Sequence, residues 1–209
     1  MERGKSSKGT TGAAKTSSRK KTSASMGKKD SSSLLKQFFV DQLQDIYWAE
    51  KALVQELPKM QKATTTEEVT EAITEHMSET GFHVNRLEQI FEMMGEPAKT
   101  KKCEAMDGLM KEARNIINEI EEGTATRDAA IIMAIQKMEH YEIATYGSLV
   151  QLAKTIGMND VADLLAETLA EEKGVDHSLT QIAESNINDK GAHEKGDLHI
   201  EEGHEGEED

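Results

Sequence analysis

His76, Glu79 and His83 follow one another at intervals of three and four in the stretch ITEHMSETGFHVNRLE, residues 73–88. On a helix this spacing marks a single face, the one on which Leu or Ile ordinarily turns toward the core. Carboxylate oxygens and imidazole nitrogens gathered on an inward face are donors for first-row metal ions.

Three further segments repeat the pattern. Glu50 is centred in an apolar stripe of Leu43, Ile46, Tyr47, Leu53, Val54 and Leu57. Glu142, with Glu139 three residues before it, shares a face with Ile131, Ile135, Met138, Tyr146 and Leu149. Glu172 and Asp176 lie with Val161, Leu165, Thr168, Leu169 and Leu179. Glu79 follows Glu50 by 29 residues and Glu172 follows Glu142 by 30, while the offsets between the two pairs are 92 and 93. Every acid therefore stands near the middle of its helix. Folding the helices together brings Glu50, Glu79, Glu139, Glu142, Glu172 and Asp176 to one level. Unpaired carboxylates in an apolar interior cost several kcal/mol each, and no Lys or Arg shares these stripes. A pair of metal ions, iron or manganese, supplies the missing positive charge. The competing reading is a carboxylate network that is only structural or solvated.

The elements that position these residues are helices. The chain has 2 Pro, 11 Met and 4% aromatic residues, and it is rich in Ala, Glu, Lys and Leu, which favours an all-α fold. Ser32 and Ser33 can cap a first helix over 34–62, which Pro58 should kink or end early. Possible capping boxes, Thr64 with Glu67 and Thr65 with Glu68, open a second helix that runs to Met94 and stops at Gly95. A shorter helix spans 104–122. The next covers 126–156 and stops at Gly157, and the last begins at 159 or 160 and fades after 187. Short loops make each long pair an antiparallel hairpin, so the short helix lies in the long crossover between them. Gly81, Gly147 and Gly174 fall inside helices, where close packing or a local bulge would account for them.

The runs YWAEKALVQELPKM, KCEAMDGLMKEA, RDAAIIMAIQKMEHYEIATYGSL and ETLAEEKGVDHSLTQIAE resemble the YciE/YciF branch of the ferritin-like superfamily, a stress-associated group. The resemblance covers about residues 33–188. It implies a ferritin-like four-helix bundle, a homodimer, and Glu50, Glu79, Glu139, Glu142, Glu172 and Asp176 as ligands. Bundles of this kind usually carry Glu-x-x-His, whereas Phe82 stands three residues after Glu79 and His83 comes one later. Asp176 similarly occupies the position after Val175. The four-residue spacing keeps both on the ligand face. His83 is therefore carried with the ligand set, and His76 is assigned to the core or to the groups that hydrogen-bond to ligands; Tyr47 and Tyr146, one turn from Glu50 and Glu142, read as core aromatics bonded to ligands, and a redox role fits their position too. On this reading Glu79, Glu139 and Glu142 bridge or bind two ions, and Glu50 and Glu172 terminate the site. The chemistry expected is oxygen- or peroxide-dependent oxidation of iron in stress protection.

Charge divides the chain. Residues 1–29 hold nine Lys or Arg against Glu2 alone, a local charge of +8 within a net charge of −14 over 209 residues. Residues 1–30 read as a disordered basic tail, 31–188 as the helical bundle, and 189–209 as a disordered acidic tail containing His193, His199 and His204. The basic tail lacks a secretory apolar stretch and could hold DNA electrostatically. That gives a second hypothesis, a non-catalytic stress-response protein with a vestigial metal site. Cys103 is the one cysteine, so no internal disulfide forms. No apolar run is long enough to cross a bilayer. The expectation is a cytoplasmic protein without membrane contact.

Overall fold

The computed structural model describes residues 33–196; the basic tail expected over 1–30 lies outside them, as do residues 197–209 of the acidic tail expected over 189–209. Four long helices, α1 (Leu34–Lys62), α2 (Glu67–Met94), α4 (Ala125–Thr155) and α5 (Asn159–Ile182), are joined by a crossover that contains α3 (Glu104–Glu119). A π-helical turn, Ala183–Ile187, leads from α5 into the short α6 (Asn188–His193). There is no strand among the described residues, and no helix there is long and apolar enough to cross a membrane.

α1 packs on α2, α2 on α5, α5 on α4, and α4 on α1, closing a ring of four helices around one core. Phe39, Leu43, Ile46, Leu53, Leu57, Ile73, Leu87, Ile90, Ile131, Ile135, Leu149 and Leu165 fill it, each almost inaccessible to solvent. These are the apolar positions at helical spacing in the sequence, and their burial drives the association. α3 lies against α4 and α1 outside the ring. The crossover is tied down where the Lys101 amide donates to the Gln44 carbonyl at 3.0 Å.

Helix ends follow local chemistry in part. Ser33 Oγ accepts from the Lys36 amide, capping α1. Gly95 at φ 66° and Gly157 at φ 80° end α2 and α4 in the left-handed conformation that glycine adopts without strain. The start of α2 differs from expectation: Thr66 is its N-cap and makes no side-chain cap bond. Asp128 of α4 performs that task, accepting from the Thr65 and Thr66 amides at 2.7 and 2.8 Å. A carboxylate suits this position because it meets the positive end of the helix dipole.

Pro58 neither ends nor shortens α1, which continues to Lys62 with Leu57 and Met60 buried on either side of it. Packing of that last turn outweighs the one hydrogen bond a proline removes. α3 stops at Glu119, three residues before the expected end. The helical chain also continues past residue 188 through α6. Glu194 then accepts from the Ala125 and Thr126 amides at 2.7 and 2.9 Å, adding a cap to α4. Neither expectation for Gly81, Gly147 and Gly174 is met. All three lie in regular α-helix, and a Cβ added at any of them meets nothing within 4 Å.

Candidate metal centre

At mid-height the four long helices present polar residues to the core: Glu50 from α1, His76 and His83 from α2, Glu139, Glu142 and Tyr146 from α4, and Glu172 from α5, all buried. They form two groups with one shared member. In the first, His83 Nδ1 lies 3.0 Å from Glu172 Oε1 and 3.5 Å from Glu50 Oε1. In the second, His76 Nε2 lies 3.0 Å from Glu139 Oε1, again with Glu172 close by. Within each group one donor atom per residue lies within 4.8 Å of the others. His76 and His83 are seven residues apart, so they sit two turns apart on the same stripe, each serving its own group.

These short contacts are not hydrogen bonds. His83 Nδ1, both ring nitrogens of His76, Glu50 Oε2, and both oxygens of Glu139, Glu142 and Glu172 are buried without a hydrogen-bond partner. Buried polar atoms are almost always paired, and an orphan costs about 1–3 kcal/mol. Here donors approach to 3.0 Å without aligning on one another. Such geometry suits lone pairs directed at a common point between them.

The surroundings hold that geometry. Tyr146 donates its hydroxyl to Glu50 Oε1 at 2.5 Å. The second nitrogen of His83, Nε2, lies 3.0 Å from Glu171 Oε2, and Arg86 fixes Glu171 through bonds of 2.6 and 3.0 Å. A carboxylate behind the ring is the usual support of a metal-binding histidine. Among the described residues Arg127 is the one buried Lys or Arg, and it bonds to the Ile120 carbonyl at the far end of α4.

Without a cation, protons must carry the compensation. Burial raises the carboxyls of Glu50 and Glu142 above the usual range, Glu142 the further, and takes Glu139 to about 8 and Glu172 to about 7. Burial alone would lower His83, but Glu172 and Glu50 beside it outweigh that and hold it up at about 11. Burial lowers His76, which favours the neutral ring that a metal requires.

Of the residues expected from the sequence, Glu50, His83, Glu139 and Glu172 come together in these groups, and Glu142 is buried beside them. Glu79 and Asp176 belong to neither group. The buried stripe of α2 runs through Thr80 and Leu87, and Glu79 falls about 80° from its centre, half-buried toward α5. Asp176 is half-buried and engaged at the α4 surface, accepting from Gln136 Nε2 at 3.1 Å and lying 3.2 Å from His140 Nε2. His76, expected outside the ligand set, lies with Glu139 and Glu172 in the second group. Its seven-residue separation from His83 was the available signal, since residues two turns apart share a stripe. Tyr47 turns to Glu88, donating at 2.6 Å, and not to Glu50.

Comparison with known proteins agrees with this architecture. Protein YciF of Escherichia coli (strain K12) is 44% identical over 153 residues, which span 73% of this chain and 92% of that one. The solved structure of the E. coli stress protein YciF superposes with a TM-score of 0.71 at 42% identity, covering 76% of this chain and all of its own. YcfI from Rhodopseudomonas palustris, provisionally described as a structural protein, gives 0.69 at 35% identity over 74% of this chain and 97% of that one. A protein from Xanthomonas campestris pv. campestris, at 21% identity and a TM-score of 0.59 over 75% of this chain and 95% of its own, shares the fold. With its residues 34–192 matching the model described as "Domain of unknown function (DUF892)", the chain belongs to that family.

Proposed function

We propose that the protein is a ferritin-like dinuclear metal-binding protein that holds two iron or manganese ions and protects against stress by consuming ferrous iron with oxygen or peroxide. The observation that carries this reading is the set of buried, close and unaligned donors joined through Glu172. One group offers Glu50, His83 and Glu172, the other His76, Glu139 and Glu172, with Glu142 in reserve beside both. Mixed oxygen and imidazole donors fit iron and manganese better than they fit softer ions. Bound iron would supply one-electron chemistry toward oxygen or peroxide. The chain's own contribution is placement: Glu171 orients the His83 ring, Tyr146 orients Glu50, and the surrounding apolar side chains keep bulk water away.

Supporting the physiological half of the proposal, the E. coli relative is named a stress protein. Elemental analysis of wild type produced with iron supplementation tests the centre. Fewer than one bound ion per chain overturns it.

A second reading rests on the nine Lys or Arg of residues 1–29, which would let a non-catalytic stress protein retain DNA at low salt. Retention that survives deletion of residues 1–29 excludes it. The family resemblance adds a homodimer to either reading, and sedimentation velocity measures it directly.

A further inference from the structure

Gly174 lies in the middle of α5, where glycine weakens a helix, and the space around a Cβ built on it is empty. Packing does not account for it. It does line a cavity of about 190 Å³ between α2 and α5, to which α2 contributes Glu75, His76 and Glu79 and α5 contributes Glu171. Neither Lys nor Arg lines this cavity. Next along the cleft, a cavity of about 380 Å³ shares Glu79 and Glu171. There Arg86 closes on Glu171 at 2.6 Å and lies 3.6 Å from Glu167. Of these two neighbouring cavities, the one at Gly174 keeps its carboxylates with no Lys or Arg in its wall.

His76 connects that cavity to the interior. Its ring is 3% exposed, both nitrogens lack a hydrogen-bond partner, and Nε2 stands 3.0 Å from Glu139 in the buried cluster. A single side chain thus borders the acidic cavity on one side and the cluster on the other. A cleft lined by one sign of charge concentrates ions of the opposite sign and speeds their capture. Carboxylate oxygens readily replace water on hard divalent cations, and imidazole is the next ligand such an ion would meet on its way inward.

We infer that the cleft between α2 and α5 at Gly174 is the entry port for divalent cations, with Glu75 and Glu79 capturing the ion and His76 passing it to Glu139 and Glu172. This inference rests on the dinuclear reading above. It gives Gly174 a purpose, since a side chain there would occupy the mouth, and it gives Glu79 a role outside the cluster. The other large cavity, about 870 Å³ between α1 and α4, includes Gly147 and no charged residue, so it offers a cation nothing.

The test follows Co(II) uptake by its visible absorption after stopped-flow mixing with metal-free, full-length protein at low ionic strength, and then measures stoichiometry at equilibrium. Gly174→Leu and Glu79→Gln should reach the wild-type stoichiometry while loading about tenfold more slowly. Added salt should erase the difference for Glu79→Gln, because screening removes the attraction it lacks. Gly147→Leu should load at the wild-type rate. Far-UV circular dichroism checks the folding of each variant, and the isosteric Glu79→Gln carries the test if Gly174→Leu does not fold. Wild-type loading rates in both Gly174→Leu and Glu79→Gln, or slow loading in Gly147→Leu, would overturn the port while two ions at equilibrium left the dinuclear reading standing. Wild type taking up less than one Co(II) per chain would remove both.

Discussion

Glu172 Oε1 and His83 Nδ1 approach to 3.0 Å across the α5/α2 interface, and neither is hydrogen-bonded to the other. Glu172 also belongs to the second group, with His76 and Glu139. On the proposed function it is the one carboxylate that both ions require. Glu172→Ala should therefore lower bound metal from two ions per chain to less than one. Glu50→Ala, which touches one group, should leave about one. Elemental analysis after dialysis distinguishes the two, and equal losses in both variants would contradict the shared role.

The metal-free protein should lose stability as pH rises from about 5 to 8. The sign follows from proton linkage. Glu139 and Glu172 take up protons in the fold up to about 8 and about 7, whereas the unfolded chain releases them near 4.5. Between those limits the native state binds more protons, so raising the pH favours unfolding. His83 does not reverse the trend. Its folded value of about 11 adds stability that is complete below 6.5 and declines steadily from there to 11, so it reinforces the loss above 6.5, while His76, which burial holds neutral, opposes the trend only below 6.5. Thermal melts of chelator-treated protein across this range read the slope. Metal at about a hundredfold excess over its dissociation constant should restore about 2.7 kcal/mol, a rise of about 5–10 °C in Tm for a chain of this size.

The four helices and the apolar stripes were legible because 3.6-residue periodicity and terminal glycines are local signals. Gly95 and Gly157 stop helices where a left-handed residue is needed, and nothing distant is required to see it. Convergence of Glu50, Glu139, Glu142 and Glu172 could also be read, since helix phase and height follow from counting residues. Rotation of α2 by part of a residue could not. Whether Glu79 or Thr80 faces inward depends on how α2 seats against α1 and α5, and the structure places Thr80 at 0% exposure with Glu79 at the edge. Asp128 and Glu194 cap helices from positions more than 60 residues distant in sequence, a relationship that no local pattern encodes.

That rotation separates two histidine and glutamate variants. His76→Ala removes a donor from the second group and should reduce the equilibrium load to about one ion per chain. Glu79→Gln should leave two, since the Glu79 side chain lies outside both groups. Isothermal titration with Mn(II) measures both stoichiometries. The reverse result would show that Glu79, and not His76, completes the centre.

Asp128 is fully buried at the start of α4, yet its carboxylate serves α2, accepting from the Thr65 and Thr66 amides. No side chain of the α2 start replaces it. Asp128→Ala leaves two amides at the positive end of a long helix without their acceptor and should cost about 1–2 kcal/mol, the upper part of the range for a lost cap. Asp128→Asn keeps one acceptor oxygen and should cost less. Because the cap lies at the end of the bundle and the proposed metal ligands at its middle, metal stoichiometry should be unchanged in both variants. Urea unfolding with the denaturant slope held common to all three proteins measures the ordering. Equal stability of Asp128→Ala and wild type would show that water satisfies the α2 amides as well as Asp128 does.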